Sequence, residues 1–211
     1  MVDIESIFIK NEEINLECEF YESDSYKQNS VIVVHPHPAY GGSMHNNVVS
    51  ALFNILKEND VSCLRFNFRG VGKSNGSHTS GRGELNDVKA CIDYLIKEKS
   101  IMNIFICGYS YGAAIGCSNI NYKENVMGFA AISFPWDFMG LKYKKLSQSN
   151  KPKLFIQGDR DTIALYDKFM EHYEYYDDPK EYKIINGADH FYWGHEQEVG
   201  KEVLKFYRSI C

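Results

Sequence analysis

The stretch Asn103–Gly116, NIFICGYSYGAAIG, runs apolar through Ile104, Phe105, Ile106 and Cys107 and then sets Ser110 between glycines two residues to either side. A strand covered on both faces is apolar on consecutive positions rather than alternating. Gly108 and Gly112 relieve the crowding of a tight strand-to-helix turn that holds its central residue in a strained conformation with the side chain pointing outward. Taken alone, Gly-x-Ser-x-Gly is a weak signal, because glycine and serine collect in any such turn. The surrounding chain decides what it means.

The same strand-then-helix pattern recurs on both sides of this stretch. Upstream, SVIVVHP (30–36) is a buried strand ended by Pro36, and NNVVSALFNILKEND (46–60) is a helix with Val48, Val49, Leu52, Ile55 and Leu56 on one stripe. VSCLRFNF (61–68) is a strand and GELNDVKACIDYLIKEKS (83–100) a helix. Downstream, VMGFAAISFP (126–135), KPKLFIQGD (151–159) and EYKIING (181–187) are strands. LYDKFMEHYEYY (165–176) and QEVGKEVLKFYRSI (197–210) are helices. Only ESIFIKN and INLECEFYE, near the start, alternate with period two, as an antiparallel pair at a sheet edge does. Strand alternating with helix predicts the α/β class: a mostly parallel central sheet with helices on both faces. Residues 1–211 read as a single domain. The short interval between ISFPW and KLFIQGD leaves no room for a lid domain.

Composition narrows the function classes. The 211 residues are 44% hydrophobic and 24% charged, with a net charge of −5, which gives no reason to expect nucleic acid or an anionic membrane as partner. No apolar run approaches the roughly 20 residues needed to span a bilayer. Acidic residues stand where a signal peptide would be basic, so a soluble, cytoplasmic protein is expected. Cys18, Cys63, Cys91, Cys107, Cys117 and Cys211 form no Cys-x-x-Cys pair and fit a reducing compartment better than a disulfide framework or a zinc site.

In such a sheet, ligands and reacting groups collect at the carboxyl ends of the strands. Ser110 follows NIFICG, His35 and His37 follow SVIVV, Asp161 follows KLFIQG, and His190 follows YKIING. A serine hydroxyl is a poor nucleophile until a base takes its proton, and His190 is the candidate base. Asp161 is the candidate acid that fixes the imidazole tautomer and stabilises the imidazolium. Its rival is Asp159, two residues earlier; Asp189, adjacent to His190, reads as structural. The order nucleophile, acid, base is that of one fold in particular. One oxyanion donor is then the N–H of Tyr111. The other comes from HPHPAYGG, where Pro36 and Pro38 have no N–H to give, leaving His37 or Ala39.

The chain resembles the α/β-hydrolases, and among them the small lidless members related to dienelactone hydrolases, in the group with a His-Pro-His-Pro loop. VVHPHPAYGGSMHNNVV, LRFNFRGVGKSNG and GYSYGAAIG carry the likeness, supported by GDRDTI and GADHFYWG. The resemblance implies an α/β-hydrolase fold with Ser110, Asp161 and His190 as a catalytic triad. By analogy with the His-Gly-x loop of related hydrolases, it favours His37 as second oxyanion donor. Dienelactone hydrolases proper use a cysteine where Ser110 stands, so their lactone substrate does not carry over.

Other motifs take structural readings. GVGKS (70–74) ends like a phosphate loop, but that motif needs glycine at position 67, where Asn67 stands. Arg65 or Arg69 anchors the loop around it. His35 and His37 lack a carboxylate at metal-ligand spacing, while His45, His78, His172 and His195 read as surface or core-edge residues. The tyrosines of EHYEYYDD pack on the sheet edge. Tyr40, Trp136, Phe138 and Trp193 are candidate pocket walls. The expected function is cleavage of a small-molecule carboxylic ester or thioester by a serine hydrolase, with no metal or organic cofactor; the oligomeric state is open. The alternatives are a non-catalytic scaffold that binds a ligand or partner protein, and a peptidase of the same fold.

Overall fold

The computed structural model describes residues 4–25 and 27–210. Cys211 and the first three residues of the N-terminal segment lie outside the described residues. Eight strands form one sheet in the order β1-β2-β4-β3-β5-β6-β7-β8. They are β1 (Ile4–Asn11), β2 (Ile14–Tyr21), β3 (Asn29–Val34), β4 (Cys63–Phe66), β5 (Asn103–Tyr109), β6 (Val126–Ile132), β7 (Lys153–Gly158) and β8 (Lys180–Ile185). β1 pairs antiparallel with β2, and β2 antiparallel with β4; every pairing from β4 to β8 is parallel. This is the expected mostly parallel sheet, with the antiparallel strands β1 and β2 at its edge.

The consecutive apolar runs divide their side chains between two cores. Ile32, Val34, Ile104 and Ile106 face one side, where they meet Val88, Ile92 and Leu95 of α2 (Arg82–Lys97) and Ala113 and Ile115 of α3 (Tyr111–Cys117). Val31, Val33, Phe105 and Cys107 face the other, against Val49, Leu52 and Phe53 of α1 (Asn47–Glu58) and Val199, Val203 and Phe206 of α7 (Glu196–Ile210). A strand with both faces covered has no polar position to spare, which is why these runs do not alternate.

The interval 133–152, between β6 and β7, holds two short helices that periodicity did not reveal: α4 (Trp136–Met139) and α5 (Leu141–Leu146), broken by Gly140 at φ 81°. Residues 166–168 form a 3₁₀ turn, and α6 (Phe169–Glu174) follows. Tyr173 of α6 packs against Phe155 and Tyr182, and Tyr176 packs against Phe155, so these two tyrosines of the segment cover the sheet edge; Tyr175 is exposed.

Arg65 and Arg69 both anchor loops. Arg65 reaches Glu19 at 2.6 Å and the Met44 carbonyl at 3.1 Å, and Arg69 binds buried Asp87 at 2.7 Å. The cysteines among the described residues are free and buried, and there no helix is long and apolar enough to cross a membrane.

The chain runs from β3 out to β4 on one side and then crosses to β5 on the other. A crevice therefore opens beyond the carboxyl ends of β3 and β5, the position where this architecture binds ligands.

Candidate active site

Ser110 sits directly after β5, at the mouth of that crevice, with φ 55° and ψ −122°. Three bonds pin its backbone in this strained region: its N–H donates to the Ile132 carbonyl (2.8 Å), and its carbonyl accepts from the N–H groups of Ala113 (2.9 Å) and Ala114 (3.3 Å). The flanking glycines are required for close approach. A Cβ on Gly112 would run into the carbonyls of Val34 and His35, and one on Gly108 into the Gly112 carbonyl and Ala113. The loop after β3 and the first turn of α3 touch backbone to backbone as a result.

Three strand ends bring their polar groups into one line. Ser110 Oγ lies 2.9 Å from His190 Nε2, and His190 Nδ1 lies 2.8 Å from Asp161 Oδ2. All three residues are buried. Asp161 has every acceptor engaged: Oδ1 receives the N–H groups of Ile163 (2.9 Å) and Ala164 (2.8 Å), and Oδ2 receives the Ser133 hydroxyl (2.6 Å). Burial alone would push this carboxyl up, but bonds from His190, Ser133 and Ile163 outweigh it and hold Asp161 below the usual carboxylate range. Asp159 does different work, accepting the Gly187 N–H at 2.7 Å to tie the ends of β7 and β8 together. Asp189 accepts the N–H of Phe191 within its own turn.

The loop carrying His190 is itself fixed. Tyr109 donates its hydroxyl to the His190 carbonyl (2.6 Å), and the Tyr192 hydroxyl meets Ser133 Oγ at 2.8 Å. Neither Ser133 nor Tyr192 stood out in the sequence. Ser133 could have been found by the rule that found the others, since it caps the carboxyl end of β6.

His35 lies fully buried beneath the site: Nδ1 donates to the Pro36 carbonyl (2.7 Å) and Nε2 accepts Phe68 N–H (3.0 Å), tying the loops after β3 and β4. Burial pushes its pKa down from 6.5 to about 4. Between those values the unfolded chain binds the proton and the folded chain does not, so stability falls as pH drops through this window. Urea unfolding is expected to show the wild type losing about 2 kcal/mol more than His35→Gln between pH 7 and pH 5. Equal losses would mean that His35 does not titrate on unfolding.

His37 accepts the Ala39 N–H on its own Nδ1 at 3.1 Å, so of the two candidate oxyanion donors the Ala39 N–H is already engaged. The ring packs beside Tyr111, His78 and Tyr40, with centroids 4.5, 4.9 and 5.2 Å away. Tyr111 opens α3, and its N–H has no carbonyl four residues back within the helix to bond. Among the described residues, no three His, Cys, Asp or Glu side chains gather in a way that could hold a metal ion.

A cavity of about 430 Å³ opens over Ser110 and His190, a volume within the range of small-molecule sites. Tyr40, Phe138 and Trp193 wall it, as expected, and Phe191 and Ile163 join them. Trp136 does not. Its indole turns into the core, donating to the Tyr176 hydroxyl (2.9 Å) and stacking on Phe134 and His172.

The model of the alpha/beta hydrolase domain matches residues 29–205. Uncharacterized protein RP471 of Rickettsia prowazekii is 32% identical over 211 aligned residues, covering 97% of this chain and 89% of that protein. An alpha-beta serine hydrolase homologue from Coxiella burnetii superposes with a TM-score of 0.86 at 29% identity, covering 97% of each chain. XC6422 of Xanthomonas campestris, described as an a/b serine hydrolase without lid, superposes with a TM-score of 0.86 at 24% identity, covering 99% of this chain and 95% of that one. The likeness to XC6422 shows the fold; the Coxiella likeness and the family match support hydrolase activity, and the match over residues 29–205 shows that the chain belongs to the alpha/beta hydrolase family.

Proposed function

We propose that this chain, acting as one domain, hydrolyses a small carboxylic ester or thioester through an acyl-enzyme on Ser110. The observation that carries the reading is the unbroken line from Ser110 Oγ through the His190 ring to Asp161, at 2.9 and 2.8 Å. In the first half-reaction Ser110 Oγ bonds to the carbonyl carbon, its proton passes to His190 Nε2, and the carbonyl electrons move onto oxygen. The N–H groups of Tyr111 and His37 then stabilise that oxyanion. Collapse breaks the bond to the alcohol or thiol, which leaves with the proton from His190. Water repeats the sequence to release the acid. Asp161, held ionised by its four bonds, keeps the proton of neutral His190 on Nδ1, so that Nε2 is free to accept. The buried free thiols fit a reducing compartment such as the cytoplasm.

A fluorophosphonate probe tests the reading without the natural substrate. Adduct on Ser110, located by mass spectrometry and lost in both Ser110→Ala and His190→Ala, is the expected result. Absence of adduct on folded wild-type protein would turn the reading to a non-catalytic binding scaffold.

The second oxyanion donor has its own test. His37 has φ −60° and ψ 124°, a backbone that proline adopts without strain. His37→Pro therefore deletes the N–H and leaves that φ in place. A fall in kcat of about 10²- to 10³-fold is expected, with a much smaller loss in His37→Ala, which keeps the N–H. Equal losses in the two variants would assign the effect to the ring instead.

A further inference from the structure

The cavity over Ser110 carries no formal charge apart from what its histidines take up: among the described residues its lining includes no Lys, Arg, Asp or Glu. Its two asparagines are neutral, and each gives one polar atom to the scaffold. Asn46 Oδ1 caps α1 through Val48 N–H, and Asn47 Nδ2 donates to the Phe191 carbonyl and to Glu196. Around the mouth stand Tyr40, Trp193, Phe138 and Phe191, exposed by 81, 71, 63 and 51%. Apolar side chains left this bare around one opening form a contact surface that a ligand covers. These aromatics fall on two sides. Phe191 follows His190 in sequence and meets its ring edge-on at 5.9 Å, with Trp193 two residues further on. Tyr40 and Phe138 stand about His37, with ring centroids 5.2 and 6.2 Å from it.

We propose that the site takes electrically neutral esters that are apolar at both ends, the alcohol part resting on Phe191 and Trp193 and the acyl part on Tyr40 and Phe138. This rests on Ser110 and His190 acting as nucleophile and base. The leaving oxygen has to lie within reach of His190 Nε2 to collect its proton, which sets the alcohol part beside the residues that follow His190. The acyl part then extends toward the His37 side. A carboxylate or phosphate on either part would lose its hydration against aromatic walls and gain no cation in return. Neutral carbon groups lose nothing on entering and cover the exposed rings.

The test compares matched substrates by kcat/KM. Phenyl acetate is expected to exceed 3-acetoxybenzoate by about 100-fold, and 4-nitrophenyl hexanoate to exceed the 4-nitrophenyl half-ester of adipate by a similar factor. A charge placed on one wall should rescue one half only. Trp193→Arg is expected to shift the ratio toward 3-acetoxybenzoate by about tenfold, and Phe138→Arg to shift the ratio toward the adipate half-ester by the same factor. Each ratio is internal to one variant, so partial loss of folded protein does not affect it. Charged esters cleaved as fast as neutral ones, on protein that still forms the Ser110 adduct, would overturn this inference and leave the nucleophile reading standing. Crossed rescue would overturn the two-sided assignment. Absence of both adduct and turnover would overturn the inference together with the reading beneath it.

Discussion

Ser110→Ala is expected to lower ester hydrolysis by on the order of 10⁶-fold and to abolish the fluorophosphonate adduct. Alanine removes the hydroxyl that lies 2.9 Å from His190 Nε2 and leaves the Tyr111 and His37 N–H groups in place, so on the proposed mechanism a residue of catalysis from oxyanion stabilisation and binding persists. The companion variant Ser110→Gly separates chemistry from backbone strain. At φ 55° and ψ −122°, with its N–H and carbonyl both pinned, a residue bearing a Cβ is held in a conformation that costs roughly 1 to 3 kcal/mol. Glycine adopts such a backbone freely, at an entropic cost of about 0.5 to 1 kcal/mol in the unfolded chain. Ser110→Gly should therefore be equally dead yet more stable than Ser110→Ala by about 1 kcal/mol, a rise in Tm of about 2 to 4 °C. A Ser110→Gly protein that melts below Ser110→Ala would show that the turn stores no strain.

Much of the site was legible because this fold concentrates its chemistry at strand ends, and strand ends are visible in sequence. Four strands each stop short of a chemistry-bearing residue, and the structure gathers Ser110, Asp161 and His190 from three of those stops. Legibility ended where side-chain direction matters. Asp159 and Asp161 lie two residues apart in an irregular loop, and no periodicity says which one faces His190; Asp159 is drawn instead to the Gly187 N–H. Trp136 follows a strand end as the wall residues do, yet buried Tyr176 offers its indole a partner and turns it inward. What separates His37 from Ala39 is one ring conformer that the sequence does not show: the His37 ring accepts the Ala39 N–H. Helices α4 and α5 are four and six residues long, too short for a 3.6-residue period to show.

Asp161→Asn preserves the shape of the acid and should still cost about 10⁴-fold in kcat. The reason lies in how the carboxylate is bound. Oδ1 receives two backbone N–H groups, from Ile163 and Ala164, and these can be satisfied only by an acceptor. The amide oxygen of the replacement must therefore take that place, and its NH₂ must turn toward His190 Nδ1 and Ser133 Oγ. A donor facing Nδ1 stabilises the tautomer that carries its proton on Nε2, and that nitrogen cannot accept the proton of Ser110. The imidazolium formed during reaction also loses its counter-charge. Asp161→Asn should consequently bind substrate with KM little changed while kcat collapses, and fluorophosphonate labelling should slow in the same proportion. Ser133→Ala removes only one of the four bonds to Asp161, leaves the carboxylate charged, and should slow turnover far less than Asp161→Asn. A near-normal kcat in Asp161→Asn would mean that another group, Asp189 being the nearest in sequence, supports His190.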